Sequence, residues 1–420
     1  MTIAEIFESR KNNPRWNTSY PINPKDWDAY RVAGPLSFEK DRRLSFYIHI
    51  PFCKQLCSFC EYARMICPDE NLQKNYLLAI ANDINQFKRK YTDIKLLGFD
   101  IGGGTPTSLS EKNFSLLLQI YNDAISGLNV DVNYEPSIEG TFNTLSESKL
   151  DEICKNGFHR LSLGVQSSCS SVLRKHRRTE SSESIMSSWM AKAWKIGVKK
   201  VNLDFMYGLN GQNVSSICQD IELIARLKPQ QVTLYELRPN MIAAKDVFSK
   251  EELYEQYAQY YNGLIALGYK ARFGQNTFSV DAFDEGVSSY LRQRMLNGEA
   301  YKGFGIAAQS MNSVGLSYNI GKMSNLTKSL LACNSYQEEY TYLLPQNELI
   351  AKYMAISAYH GSFSIERLVS MGANEEHLNE ILDFCFSQKL LSTNNDNKRI
   401  CITPKGFVYY GALFSLFCSK

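Results

Sequence analysis

Two textures alternate through the middle of the chain. Short apolar runs, rich in β-branched residues, occur at 46–50 (FYIHI), 96–104 (LLGFDIGGG), 132–139 (VNYEPSIE), 160–167 (RLSLGVQS), 200–208 (KVNLDFMYG) and 231–238 (QVTLYELR). Between them lie stretches with apolar residues at helical spacing, at 71–90, 111–125, 146–157, 180–197 and 213–227. Apolar strands alternating with amphipathic helices predict βα units on a parallel sheet. The pattern therefore predicts an α/β fold, an incomplete (β/α)6 barrel over about 45–240, preceded by an N-terminal arm at 1–44. Helix starts agree: Ser110 is a cap candidate, and Glu147 three residues after Thr144 has capping-box spacing. Residues 241–340 lose the alternation, and the glycines and polar aromatics of 273–312 predict loops that cover a site. From 341 to 420, helical stretches followed by a short hairpin ending in TPKG predict a mostly helical, winged-helix-like cap.

In such barrels the chemistry sits where the strands end. The first run ends in a cysteine loop, and the second in Gly102-Gly103-Gly104-Thr105-Pro106. Glu139 and Gln166 close the third and fourth, Asp204 and Tyr207 mark the fifth, and Glu236 and Arg238 the sixth. One carboxylate at one strand end is most simply a helix cap. Six such ends in succession predict a site.

Composition narrows the setting. A net charge of +3 on 420 residues gives no argument for a nucleic-acid or membrane-surface partner. The N-terminal residues 1–16 lack the apolar core of a signal peptide, and no uninterrupted apolar run is long enough to cross a bilayer, so a cytoplasmic protein without a membrane span is expected. Of 11 cysteines, eight are scattered without framework spacing, as reduced thiols would be. The other three, Cys53, Cys57 and Cys60, share one loop. Thiolates at that spacing can converge on one metal centre. Zinc would want a fourth ligand, yet His49 precedes the loop in a strand and no second C-x2-C pair exists. A four-iron cluster on three thiolates leaves one iron open for a ligand. The glycine run removes side chains so that a ligand can lie against the backbone, and without a following Lys-Ser/Thr pair it is not a P-loop.

YIHIPFCKQLCSFC together with GFDIGGGTPTSL, GFHRLSLGVQS and VNLDFMYGLNGQ resembles the radical S-adenosylmethionine (SAM) family of the oxygen-independent coproporphyrinogen III oxidase type, which includes haem chaperones and class C methyltransferases. The resemblance implies a [4Fe-4S] cluster on Cys53, Cys57 and Cys60 whose open iron binds SAM. It further implies that Tyr47, Gly103 and Glu139 face a first SAM, and Gly104, Thr105, Gln166, Arg177 and Asp204 a second. Arg178 competes with Arg177, because the segment KHRRTE lacks the family's glycine before the arginine. Two departures stand out: Tyr62 replaces the further cysteine of the oxidases proper, and Gln309 occupies a position usually aliphatic. Conversely, RWNTSYP at 15–21 is similar to the oxidases' N-terminal motif. The leading expectation is methyl or methylene transfer from a second SAM to an unsaturated or aromatic substrate. The alternatives are oxidative decarboxylation of tetrapyrrole propionates and a haem chaperone. A flavodoxin- or ferredoxin-type electron donor is implied as partner.

Overall fold

The computed structural model describes residues 1–11, 20–21, 24–238, 246–322, 325–332, 334–357, 360–393 and 399–417. Arg15 to Ser19 of the oxidase-like N-terminal motif lie outside the described residues.

All six predicted strands form: β1 (Arg43–Ile50), β2 (Lys95–Gly103), β3 (Ser137–Gly140), β4 (Arg160–Gln166), β5 (Lys200–Tyr207) and β6 (Gln231–Glu236). They pair in parallel in sequence order, each with the next. Parallel pairing in one order requires a crossover each time. The crossovers are α1 (Glu70–Lys90), α2 (Glu111–Ile125), α3 (Glu147–Lys155), α4 (Glu183–Lys195) and α5 (Val214–Leu227). Alternation decides the faces. Leu44, Phe46 and Ile48 of β1 are fully buried, and the Phe46 ring meets Phe87 of α1 at 5.8 Å and Phe99 of β2 at 5.8 Å. Ser45, Tyr47 and His49 therefore face the opposite side, the concave centre of the sheet.

Two predictions need correction. Ser110 caps α2 as expected, but α3 is capped by Ser146, whose hydroxyl accepts from the Lys149 amide. Thr144 instead belongs to a tight turn, where its hydroxyl is buried against Thr107 Oγ1 at 2.6 Å. The stretch read as covering loops also adds strands. β7 (Thr277–Ser279) lies antiparallel on β6, closing one edge. β8 (Ala300–Phe304) pairs in parallel with β1, Ala300 opposite Leu44 and Phe304 opposite Ile48. Antiparallel β9 (Gln309–Met311), β10 (Gly315–Asn319) and β11 (Glu338–Leu343) follow, and Arg31–Val32 of the arm pairs with β11.

The C-terminal segment builds a separate three-stranded antiparallel sheet from Ser362–Phe363, Ile400–Ile402 and Leu391–Thr393, with helices before, between and after. The helix Ile3–Lys11 packs on it: Phe7 is buried, 5.5 Å from Phe384 and 6.2 Å from Tyr409. Among the described residues no helix is long and apolar enough to cross a membrane.

Candidate functional site

The cysteine loop leaves the end of β1 and is fastened at both ends. Cys53 donates its amide to the Met65 carbonyl at 2.9 Å, and Met65 returns one to Pro51 at 2.7 Å. Arg64 donates from Nη2 to the Cys57 carbonyl at 2.6 Å, and the Ser58 amide donates to His176 O at 3.0 Å. Cys57 is buried, while Cys53 and Cys60 are partly exposed. Burial pushes the Cys53 thiol up to about 11, against the hydrogen bond from Thr105, and also raises Cys60. Holding Cys53 and Cys60 as thiolates therefore needs positive charge at the loop, which bound iron would supply.

The glycine run lies across the same opening. Gly104 and Thr105 donate their amides to Ile50 O at 2.7 Å and Phe52 O at 2.8 Å, tying the run to the start of the cysteine loop. A Cβ on Gly104 would stand 2.9 Å from Cys53 Sγ and from two carbonyls. Thr105 Oγ1 donates toward Cys53 Sγ at 3.6 Å. The close glycine cradle, the hydroxyl donor and three thiols on one loop fit a cluster held by Cys53, Cys57 and Cys60. Among the described residues, no three His, Cys, Asp or Glu side chains are grouped as a single metal ion would need. His49 commits its Nε2 to the Ala63 carbonyl at 2.8 Å, and burial pushes its pKa down to about 4.

The strand-end acids converge on the concave centre. Glu139 accepts from the Gly103 amide at 3.2 Å, and a Cβ on Gly102 would meet its carboxylate at 2.5 Å. Solvent reaches Glu139 through the open centre, yet protein surrounds it. That enclosure, with Asp204 nearby, lifts it to about 8. Asp204 is held by Asn202 at 2.8 Å and Ser162 at 3.1 Å, and burial raises it to about 6. Two enclosed acids of raised pKa favour a cationic ligand between them. Tyr47 stacks on Tyr290 with ring centres 5.6 Å apart. Gln166 ends β4 at φ 76°, a left-handed conformation rare for a side-chain-bearing residue.

Arg177 does not join them. It is exposed with φ 54°, and this turn brings its neighbour inward. Arg178 donates to the Gly164 carbonyl and reaches Cys57 Sγ at 3.6 Å.

Residues 47–224, which hold the three thiols, the glycine run, Glu139 and Asp204, match the Radical SAM superfamily. They form a radical SAM domain. Its cofactors are a [4Fe-4S] cluster and SAM, the groups that this opening fits. The oxygen-independent coproporphyrinogen III oxidase of Salmonella typhimurium (strain LT2) is 28% identical over 248 residues, 58% of this chain and 53% of that protein. The chain thus spans about half the length of that relative. The Heme chaperone HemW of Bacillus subtilis is 28% identical over 319 residues, 74% of this chain and 82% of its own. That of Lactococcus lactis is 26% identical over 395 residues, 89% and 97%. The coproporphyrinogen III oxidase (HemN) of Escherichia coli, described as a radical SAM enzyme, superposes with a TM-score of 0.73 at 22% identity over 90% of this chain and 91% of its own, and so shares the fold.

Three enclosed charged residues escaped the sequence reading. Asp100 lies opposite Tyr47 in register; it accepts from Ser288 at 2.6 Å, its Oδ1 has no partner, and burial raises it to about 7. Its signal was available, since Gly98, Asp100 and Gly102 alternate onto one face. Lys352 lies in the helix Gln346–Ser357, one turn after the buried acid Glu348, and is 4% exposed. Its ammonium donates to the Tyr20 carbonyl at 2.5 Å, and burial, with Arg294, Lys322 and Arg238 nearby, pushes its pKa down to about 7. No local pattern announces Arg294, which lies 4.7 Å from the Tyr301 ring centre and donates to Tyr290 and Gln309.

Proposed function

We propose that the chain is a radical SAM enzyme that oxidatively decarboxylates propionate side chains of a tetrapyrrole such as coproporphyrinogen III, in the reducing cytoplasm. The observation that supports this reading is the buried Lys352, 4% exposed, whose pKa burial lowers first and Arg294, Lys322 and Arg238 lower further. Glu61 pairs with Arg238 at 3.5 Å, and for the remaining cations an anionic ligand would supply the offset. A substrate with several carboxylates does so, and an uncharged aromatic does not.

When bound, the reduced cluster would supply the electron that splits SAM into methionine and a 5′-deoxyadenosyl radical; that radical would take a hydrogen atom from a propionate, and loss of carbon dioxide would leave a vinyl group and one electron for an acceptor such as the oxidised electron donor. In this reading Cys53, Cys57 and Cys60 hold the cluster. Tyr47, Gly103 and Glu139 face the first SAM, the Glu139 carboxylate taking its ammonium. Gly104, Thr105, Gln166 and Asp204 face a second, with Arg178 in the place that the resemblance gave Arg177. Leu56, Tyr62 and Ile66, apolar and exposed around the cysteine loop, offer a docking face to a flavodoxin- or ferredoxin-type donor.

Two other readings each have one observation in their favour. Coverage of nearly the whole length of the Lactococcus HemW supports haem handling. Tyr62 in place of the oxidases' extra cysteine supports methyl transfer. One anaerobic experiment separates the three: reconstituted protein, SAM, dithionite and coproporphyrinogen III, followed by mass spectrometry. Loss of carbon dioxide from the substrate together with 5′-deoxyadenosine supports the decarboxylase. S-adenosylhomocysteine together with a heavier substrate supports transfer and sinks the proposal. An unchanged substrate, with haem whose spectrum shifts on adding the protein, supports the chaperone and equally sinks it.

A further inference from the structure

The turn that brings Arg178 inward begins at His176, which is 3% exposed and sits between two loops. On one side is Ser58, between Cys57 and Cys60. Its amide donates to the His176 carbonyl at 3.0 Å, and its Oγ lies 3.2 Å from Nδ1 of the ring. On the other side is Asn210, just past the end of β5, whose amide donates to Nε2 at 3.0 Å. The Phe59 ring packs 5.8 Å from the imidazole.

These contacts fix where the protons are. A backbone amide can only donate, so Nε2 accepts and carries no hydrogen. Burial, with Lys175 beside it, lowers the pKa of His176, which keeps the ring neutral. The one ring proton therefore sits on Nδ1 and is donated to Ser58 Oγ. That bond takes a lone pair of the hydroxyl and leaves the hydroxyl's own proton to be donated elsewhere. Among the described residues nothing accepts it. Ser58 is half-buried on the loop that carries Cys57 and Cys60, so the sulfur of a cluster held there is the acceptor that this hydroxyl lacks.

We propose that Ser58 donates a hydrogen bond to a sulfur of the cluster, and that His176 is the positioning residue that turns the hydroxyl to do so. A donor to cluster sulfur favours the reduced state, which carries the extra negative charge, and raises the reduction potential. The pair thereby makes the cluster easier to reduce. This inference rests on the assignment of the cluster to Cys53, Cys57 and Cys60, and not on the choice of substrate.

The test is a potentiometric titration of the reconstituted full chain without SAM or substrate, read from the electron paramagnetic resonance signal of the reduced cluster. Ser58→Ala should lower the midpoint by about 59 mV, a tenfold loss in the one-electron reduction equilibrium, at wild-type iron content. Ser58→Thr, which keeps a hydroxyl, should restore it. His176→Leu should shift the midpoint in the same direction, and His176→Gln, which keeps an acceptor for Asn210 and a donor for Ser58, should recover most of the shift. Because the histidine acts through the hydroxyl, the double variant Ser58→Ala/His176→Leu should fall no lower than Ser58→Ala alone. A wild-type midpoint in Ser58→Ala overturns the proposal, as does an additive fall in the double variant. Cys57→Ser tests the premise separately: a variant that still assembles a four-iron cluster overturns the assignment of the ligands, and the proposal with it.

Discussion

At the scale of single residues, the cofactor loop depends on what is missing as much as on what is present. Gly104→Ala places a methyl 2.9 Å from Cys53 Sγ and from the Ile50 and Phe52 carbonyls, two of which are backbone and cannot yield cheaply. We expect the variant to fold, judged by circular dichroism, while its iron and sulfide content after reconstitution falls well below that of the wild type. The two adjacent arginines make a sharper pair. Arg178→Met should weaken SAM binding by about tenfold or more, the scale of one charge-assisted hydrogen bond, and Arg177→Met should leave it nearly unchanged. Equilibrium dialysis with labelled SAM distinguishes them, and equal losses would show that neither arginine is selected by the turn. The thiols and the glycine run were legible because their chemistry is written in residue type and spacing. Which of Arg177 and Arg178 turns inward was not, because that hangs on a left-handed φ at Arg177 that a run of basic residues does not betray.

Individual elements were read most reliably where burial on both faces makes a continuous apolar run, as in β2 and β5. Short β3 was overextended at its start, since only Ser137–Gly140 of the run 132–139 onward is strand. Likewise the cap of α3 was placed on Thr144 because spacing alone cannot tell a capping hydroxyl from one turned inward toward Thr107. Close approach between elements is the other property that sequence hides. Gly98 of β2 is such a point: a Cβ there would stand 2.4 Å from the Tyr290 amide nitrogen, on backbone that carries the ring stacked on Tyr47. Gly98→Ala must push the segment 288–296 off the sheet. It should destabilise the protein by about 1–3 kcal/mol, the range for overpacking, visible as a lower urea midpoint, and should weaken SAM binding through Tyr47. A variant of unchanged midpoint would mean that the segment is free to shift.

For the molecule as a whole, the cationic interior has a consequence in pH. Folding lowers the Lys352 pKa to about 7, whereas an unfolded lysine titrates near about 10.4. Between these values the unfolded chain binds the extra proton, so this residue's contribution to stability is unfavourable below about pH 7 and improves as pH rises above it. Thermal unfolding followed from pH 6 to about pH 9 should show that rise in the wild type and lose it in Lys352→Met. A polycarboxylate substrate should flatten the profile by keeping the lysine charged. The global architecture was legible as far as the six βα units reach. It was not legible beyond them, because the neighbour of β1 on its other side is β8, and no short-range pattern connects Leu44 with Ala300.

That long-range pairing also fixes an order of events in synthesis. Until Ala300–Phe304 leaves the ribosome, β1 has an open edge, and the loop that hangs from its end carries Cys53, Cys57 and Cys60 as bare thiols. Pairings between distant segments form slowly, and slow steps prolong whatever they leave exposed. A chain cut short before Ala300 should therefore keep β1 as an unpaired edge, open to pairing with other chains.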